Sequence, residues 1–239
     1  MLALISAMHE ELAAIVAMID RERVITVGGR ELHVGTCGGE QVVAVVSRIG
    51  KVAAAATTAI LLERFAPRAV VMTGLAGAID PALAVGDIVI ADRLIQHDLD
   101  ARPLFPQHEV PLLGVAELHA DPALRESLAR AAGGIAVTDE LRALGITRPQ
   151  VVHGMIASGD QFFRSLDQVQ ALRALLPEVV AVEMEGAAVA QVCHEHGVPF
   201  AVARVISDTA DHAAPVDFAR FLSEACGPYA RTLVEGVLG

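Results

Sequence analysis

The sequence has no tryptophan and one tyrosine, so it lacks the aromatic platform on which single-stranded nucleic acid stacks. Positive charge is also scarce. Lys and Arg number 18 against 29 Asp and Glu, for a net charge of −11. That balance argues against nucleic acid or an anionic membrane as partner, since both need a basic face. A small neutral or zwitterionic ligand is compatible with it. Cysteines are few: Cys37, Cys193 and Cys226 are scattered and odd in number. No pair has metal-ligand spacing, so no metal is expected and a reduced, cytoplasmic setting is the simple inference. Long apolar runs are missing too, although the chain is 54% hydrophobic with mean hydropathy +0.50. Arg48 and Gly50 interrupt one run, and 69–75 is too short to span a bilayer. The N-terminus has no basic region and meets His9, Glu10 and Glu11 almost at once, unlike a signal peptide.

What is present is a globular pattern. A chain of 239 residues can bury a core without staples. Residues 2–6 read as a strand, followed by a helix with Leu12, Ile15, Val16 and Ile19 at helical spacing. Residues 23–28, 31–37 and 41–47 are β-prone runs separated by Gly pairs at 28–29 and 38–39, which predicts a meander of hairpins. A helix over 51–64 ends at Pro67, and strands follow at 69–74 and 87–96. Residues 97–119 carry three prolines and no clear period, which predicts a long loop. Asp121 and Pro122 open a helix over 121–132, and 133–149 has no evident assignment. Strands at 151–158, 179–184 and 199–206 then alternate with helices at 165–175, 186–196 and 216–236. This alternation predicts an α/β layered fold around a buried, partly parallel sheet. No linker, repeat or low-complexity stretch divides residues 1–239, so one domain is expected.

Three acidic clusters fall where buried strands end, the favoured place for ligands in open α/β sheets. Glu10 and Glu11 follow the first strand, Glu183 and Glu185 close the strand at 179–184, and Asp208 follows Arg204 after 199–206. Each has a structural alternative. Glu10, Glu11 and Glu185 suit the first turn of a helix, Asp208 suits a cap or turn, and Arg204 suits an ion pair with one of them. Their joint occurrence at successive strand ends favours a site.

These clusters lie within a longer series of motifs: SAMHEEL (6–12), RIGKVAAA (48–55), TGLAGAI (73–79), VGDIVIAD (85–92), SGDQFF (158–163), VEMEGAAVAQVCH (182–194) and RVISDTAD (204–211). In order and spacing the series resembles the 5′-methylthioadenosine/S-adenosylhomocysteine nucleosidases of the nucleoside phosphorylase/hydrolase superfamily. The likeness runs over nearly the whole chain. It implies a three-layer α/β/α sandwich around a mixed, partly parallel β-sheet. It also implies hydrolysis of the N-glycosidic bond of a 5′-thio-substituted adenosine, with no cofactor.

By that resemblance Asp208 is the general acid at adenine N7, a role that burial favours by raising its pKa. Glu11 positions and deprotonates the attacking water. Glu185 grips the ribose hydroxyls, with Met184 against the sugar and Arg204 orienting Glu185 and the water. Phe162 stacks on adenine, and Phe163 offers its backbone to the purine edge. Ala76 and Gly77 belong to the substrate-binding set, Ser207 holds the loop carrying Asp208, and Ile49 and Met8 line the 5′ end. Glu183 is expected to point away and to be structural. The segment 97–114 is expected to reach a second subunit, with Phe105 and Pro111 closing the partner's alkylthio pocket in a homodimer.

Two features depart from the family pattern. Leu75 stands where familiar nucleosidases often carry Ser near the ribose and water, and the segment 97–114 differs in detail and is longer. His97, His108, Asp98 and Asp100 in that segment fit no standard metal spacing and read as solvated loop residues. Two competing functions have the same fold. A phosphate-dependent phosphorylase would need a phosphate cradle, whereas the first strand leads into two carboxylates that repel phosphate. A non-catalytic nucleoside-binding protein has little need of both Glu11 and Asp208.

Overall fold

The computed structural model of the chain describes residues 1–210 and 214–238. Among them lie ten strands and eight helices. The strands are β1 (Leu2–Ser6), β2 (Asp20–Val27), β3 (Arg30–Cys37), β4 (Glu40–Val46), β5 (Ala69–Ala78), β6 (Ile88–Gln96), β7 (Glu117–His119), β8 (Val151–Ser158), β9 (Val179–Glu183) and β10 (Phe200–Asp208). The helices are α1 (His9–Val16), α2 (Lys51–Phe65), α3 (Pro122–Gly133), α4 (Asp139–Ala143), α5 (Leu166–Leu175), α6 (Gly186–Glu195), α7 (Ala214–Glu224) and α8 (Cys226–Leu238).

All ten strands join one mixed sheet in the order β10-β6-β8-β9-β5-β1-β4-β3-β2, with β7 on β6. β10 also pairs with β5, so β5, β9, β8, β6 and β10 close into a ring. The apolar runs of the sequence become strands covered on both faces. Alternation along β1 shows how. Ala3 and Ile5 pack with α2 and α6 residues such as Leu61 and Val189. Leu2 and Leu4 pack on the other face with Ile15 of α1, Leu128 of α3 and Tyr229 of α8. The layers on either side of the sheet are therefore helical, as expected for an α/β/α arrangement.

Local signals act where the sequence places them. Asp121 caps α3 by accepting from the Leu124 amide at 2.9 Å, with Pro122 in the first turn. Three expectations need correction. Residues 97–119 are not all loop: β7 adds an edge to β6, and Val110 bridges Val115. The unassigned stretch 133–149 contains α4, capped by Thr138. The helix expected over 216–236 is two helices that part at Ala225. Pro228 explains the break, because its ring has no N–H and would clash with the Glu224 carbonyl if one helix ran through.

Candidate active site

β1 ends at Ser6, and the chain turns into α1, whose first turn carries Glu11. One Glu11 oxygen accepts from the amides of Ala7 and Met8 at 2.8 and 3.0 Å. The other accepts from the Leu75 amide on β5 at 3.1 Å. Three backbone donors thus fix a carboxylate that is only 3% exposed. Burial raises its pKa, against the opposing pull of the Arg204 charge and those amides. Leu75 supplies one of these donors from its backbone, and the residue also lines the cavity beside Glu11.

β10 runs parallel to β5 and brings two more charged groups to the same end. Arg204 lies beside Gly74 and Asp208 beside Gly77. The register shifts between Ile206 and Asp208, so a bulge at Ser207 takes up the extra residue. Both glycines permit close approach. A Cβ on Gly74 would collide with the Arg204 guanidinium and lie 2.9 Å from Glu11 Oε1; one on Gly77 would lie 3.1 Å from Asp208 Oδ1. Asp208 is buried, the last residue of β10 rather than part of a following loop. It accepts from Ser207 Oγ at 2.8 Å and from the Ala210 amide at 2.9 Å. Asp211, the last residue of the RVISDTAD motif, lies outside the described residues.

Glu183 and Glu185 divide their work. Glu183 does not point away, because the chain turns at the end of β9 instead of continuing as a strand. Its carboxylate caps α6, accepting from the Glu185 amide at 3.1 Å and from the Gly186 amide at 2.8 and 3.0 Å. It also accepts from Ser158 Oγ and pairs with Arg204 Nη2. Glu185 accepts from the Gly50 amide at 2.9 Å and lies 3.5 Å from Arg204 Nη2. Burial and the neighbouring Glu183 charge push Glu185 up to about 8. Burial works against the Arg204 charge, but Glu183, Glu185 and Glu11 outweigh it and raise its pKa. Arg204 therefore contacts Glu185, as expected, but its tighter partner is Glu183.

Glu11, Glu185 and Asp208 all line one cavity of about 130 Å³. Ala76, Gly77 and Ser207 surround Asp208 at one part of its wall, and Met184 lies beside Glu185. Met8, Ile49, Phe162 and Phe163 complete the expected lining. Phe162 is 40% exposed, while Phe163 is buried edge-on to His97 with ring centroids 5.4 Å apart. Arg204 lies behind the wall, wholly buried, and Phe105 and Pro111 do not line this chain's cavity. The structure adds Phe218 of α7, whose ring meets Phe162 edge-on at 5.6 Å. Sequence reading missed it because FARF at 218–221 has ordinary amphipathic spacing. It also missed the Gly50 amide and Ser158, for which the RIGK and SGD motifs were the only signals.

The expected solvated histidines need correction. His108 is buried, with Nδ1 3.2 Å from the Gln96 carbonyl, and His97 packs on Phe163. Asp98 pairs with Lys51 and Asp100 with Arg102. Among the described residues no group of three or more His, Cys, Asp and Glu has a metal-binding arrangement.

A buried acid on β10, a backbone-held carboxylate on α1 and a third carboxylate at the head of α6 share one cavity in a mixed α/β sheet. The family model described as the phosphorylase superfamily matches residues 1–238, which places the chain in that class. Within it the chain belongs to the 5′-methylthioadenosine/S-adenosylhomocysteine nucleosidase family. The relative from Marinomonas sp. (strain MWYL1) is 41% identical over 226 residues, covering 94% of this chain and 92% of its own. The relative from Anoxybacillus flavithermus is 42% identical over 225 residues, with the same coverage. The solved nucleosidase from Neisseria meningitidis, in complex with methylthio-immucillin-A, superposes with a TM-score of 0.88 at 34% identity, covering 99% of this chain and 97% of its own.

Proposed function

We propose that this chain hydrolyses the N-glycosidic bond of 5′-methylthioadenosine, S-adenosylhomocysteine or related 5′-substituted adenosines. The products are adenine and the 5′-thioribose. The observation that carries the reading is the placement of Glu11 and Asp208 in one cavity, each held by short polar contacts. Asp208 donates a proton to adenine N7, which turns the base into a better leaving group. Glu11 takes a proton from water as it attacks the anomeric carbon. Charge that develops on the ribose meets the carboxylates that line the cavity in their ionised form. Glu185 accepts from the ribose hydroxyls, Arg204 steadies Glu185 from behind, and Met184 packs against the sugar. Phe162 stacks on the base while Phe163 offers backbone groups to its edge. Met8 and Ile49 line the 5′ end.

Water, rather than phosphate, is the nucleophile in this reading. No Lys or Arg is among the described residues that line the cavity, so a phosphate dianion would meet carboxyl groups with no cation to hold it. The whole chain acts as one domain, without a cofactor, as a cytoplasmic homodimer. Phe105 and Pro111 of one subunit close the 5′ pocket of the other.

Adenine release from methylthioadenosine, followed with and without phosphate, tests the reaction. Release is expected without phosphate, and an absolute phosphate requirement would overturn the hydrolase reading. Glu11→Gln and Asp208→Asn are each expected to lower turnover by about 10²–10⁴ while leaving much of the binding. Near wild-type rates in either variant would remove that residue from its role.

A further inference from the structure

The parallel strands β6 and β8 end side by side, with Gln96 and Ser158 as their last paired residues. Two residues beyond each end stands an aspartate. Asp98 Oδ2 accepts from the Asp160 amide at 2.9 Å. Neighbouring carboxylates repel unless a cation joins them. Lys51, the first residue of α2, supplies it. Its ammonium donates to Asp98 Oδ1 at 2.5 Å and to Gln96 Oε1 at 3.1 Å, while its amide donates to Asp160 Oδ1 at 2.8 Å. These contacts close a ring through Lys51, Asp160 and Asp98 that ties three distant segments together. Burial disfavours the Asp98 carboxylate, but Lys51 and the Asp160 amide outweigh it and hold its pKa below the ordinary value.

None of the three is among the described residues that line the catalytic cavity, yet each adjoins groups that matter there. Gly50 gives its amide to Glu185 at 2.9 Å, so consecutive amides at the head of α2 serve Glu185 inside the cavity and Asp160 outside it. A Cβ on Gly50 would lie 3.1 Å from Asp160 Oδ1, at a φ of 95 that suits glycine. Asp160 is followed by Gln161, Phe162 and Phe163, all on the cavity wall. His97, next to Asp98, packs edge-on against Phe163. The ring therefore sets the segment that carries both phenylalanines against the amide that holds Glu185.

We infer that Lys51 and Asp98 are positioning residues for the reaction: they keep the base end of the site, at Phe162 and Phe163, in register with the ribose end, at Glu185. The inference rests on the nucleosidase reading above for what lies at each end. An isolated, partly exposed ion pair contributes little to folding. The worth of this one lies in geometry, since a misplacement of about 1 Å that originates far from the chemistry can cost about a hundredfold in rate.

Lys51→Met keeps a long, helix-compatible side chain and removes its charge. Asp98→Ala removes the acceptor of the Asp160 amide. Each is expected to weaken adenine binding, measured by calorimetry, about fivefold or more and to lower kcat/KM for methylthioadenosine about tenfold or more. Tm should move by no more than about 4 °C. The acid limb of the kcat/KM profile should also move to higher pH. Burial and the Glu183 charge raise Glu185, the Gly50 amide opposes them, and a loosened amide opposes them less. Arg204 and Glu11, the other charges that act on Glu185, are the same in both variants. The double variant should be no worse than the poorer single one, because the two side chains belong to one ring. Wild-type adenine affinity with an unmoved limb in both variants, or losses that simply add in the double variant, would overturn the inference and leave the nucleosidase reading intact. Wild-type protein that neither binds nor releases adenine would sink both.

Discussion

Gly74 lies directly beside Arg204 in the β5–β10 ladder, and the missing Cβ is the space that the guanidinium occupies. The same empty space borders Glu11 Oε1, so one glycine lets two charged groups of the site approach each other. Gly74→Ala is expected to displace both. Overpacking of this kind costs about 1–3 kcal/mol, and the Glu11 carboxylate has no slack because three amides hold it. Adenine release should fall at least about a hundredfold, by analogy with small misplacements of reacting groups, with a clear drop in Tm. An alanine variant with unchanged kinetics would mean that the ladder tolerates what its register forbids.

Glu183 is a positioning residue, since it joins Arg204 to the head of α6. Glu183→Ala would take from Arg204 its tightest partner, leaving Glu185 at 3.5 Å and the charge of Glu11, and is expected to cost about 3–5 kcal/mol, as for other broken buried pairs. Glu183→Gln should fold and still accept from the α6 amides. It removes the like charge that helps hold Glu185 up to about 8, so the acid limb of the kcat/KM profile should move to lower pH. A merely structural role would lower stability and leave that limb in place.

The three thiols should be silent in the native protein. Cys193 is buried with its pKa pushed up to about 12, Cys226 likewise, and burial raises Cys37 as well. Thiolate, not thiol, is the nucleophile. Iodoacetamide near pH 8 is expected to leave the native enzyme active and unlabelled, and to label all three cysteines after unfolding. Rapid labelling of the folded protein with loss of activity would contradict this burial.

The alternation of apolar runs with amphipathic stretches made the layers legible, because burial on both sheet faces leaves the Leu2–Ser6 and Ala69–Ala78 strands almost wholly apolar. Glu11, Glu185 and Asp208 were legible as charges stranded at strand ends. What was not legible depends on register between distant segments. Nothing near residue 74 says that it will face residue 204, although two glycines three apart in a buried strand are a signal of close backbone approach. Glu183 was misread because strand alternation was carried past the point where β9 gives way to α6. Phe218 was hidden because a helix face does not say which of its aromatics meets the core and which meets a ligand.

Activity and stability should trend in opposite directions with pH. Glu185 is raised to about 8 by burial and the Glu183 charge, and Glu11 is raised by burial. Both roles proposed for them need the ionised form, so kcat/KM should climb between about pH 6 and 8, approaching tenfold per pH unit well below the governing pKa. Stability follows the opposite sign. A carboxyl whose folded pKa lies above its unfolded value binds its proton more tightly in the folded state. Its contribution is therefore complete below the unfolded value of about 4.5 and is lost as pH rises toward 8. Glu185→Gln cannot titrate and should escape that loss. Its Tm relative to wild type is expected to rise steadily from about pH 5 to pH 9, while its activity stays low throughout. A Tm difference that is flat over this range would show that Glu185 is not held protonated by its surroundings.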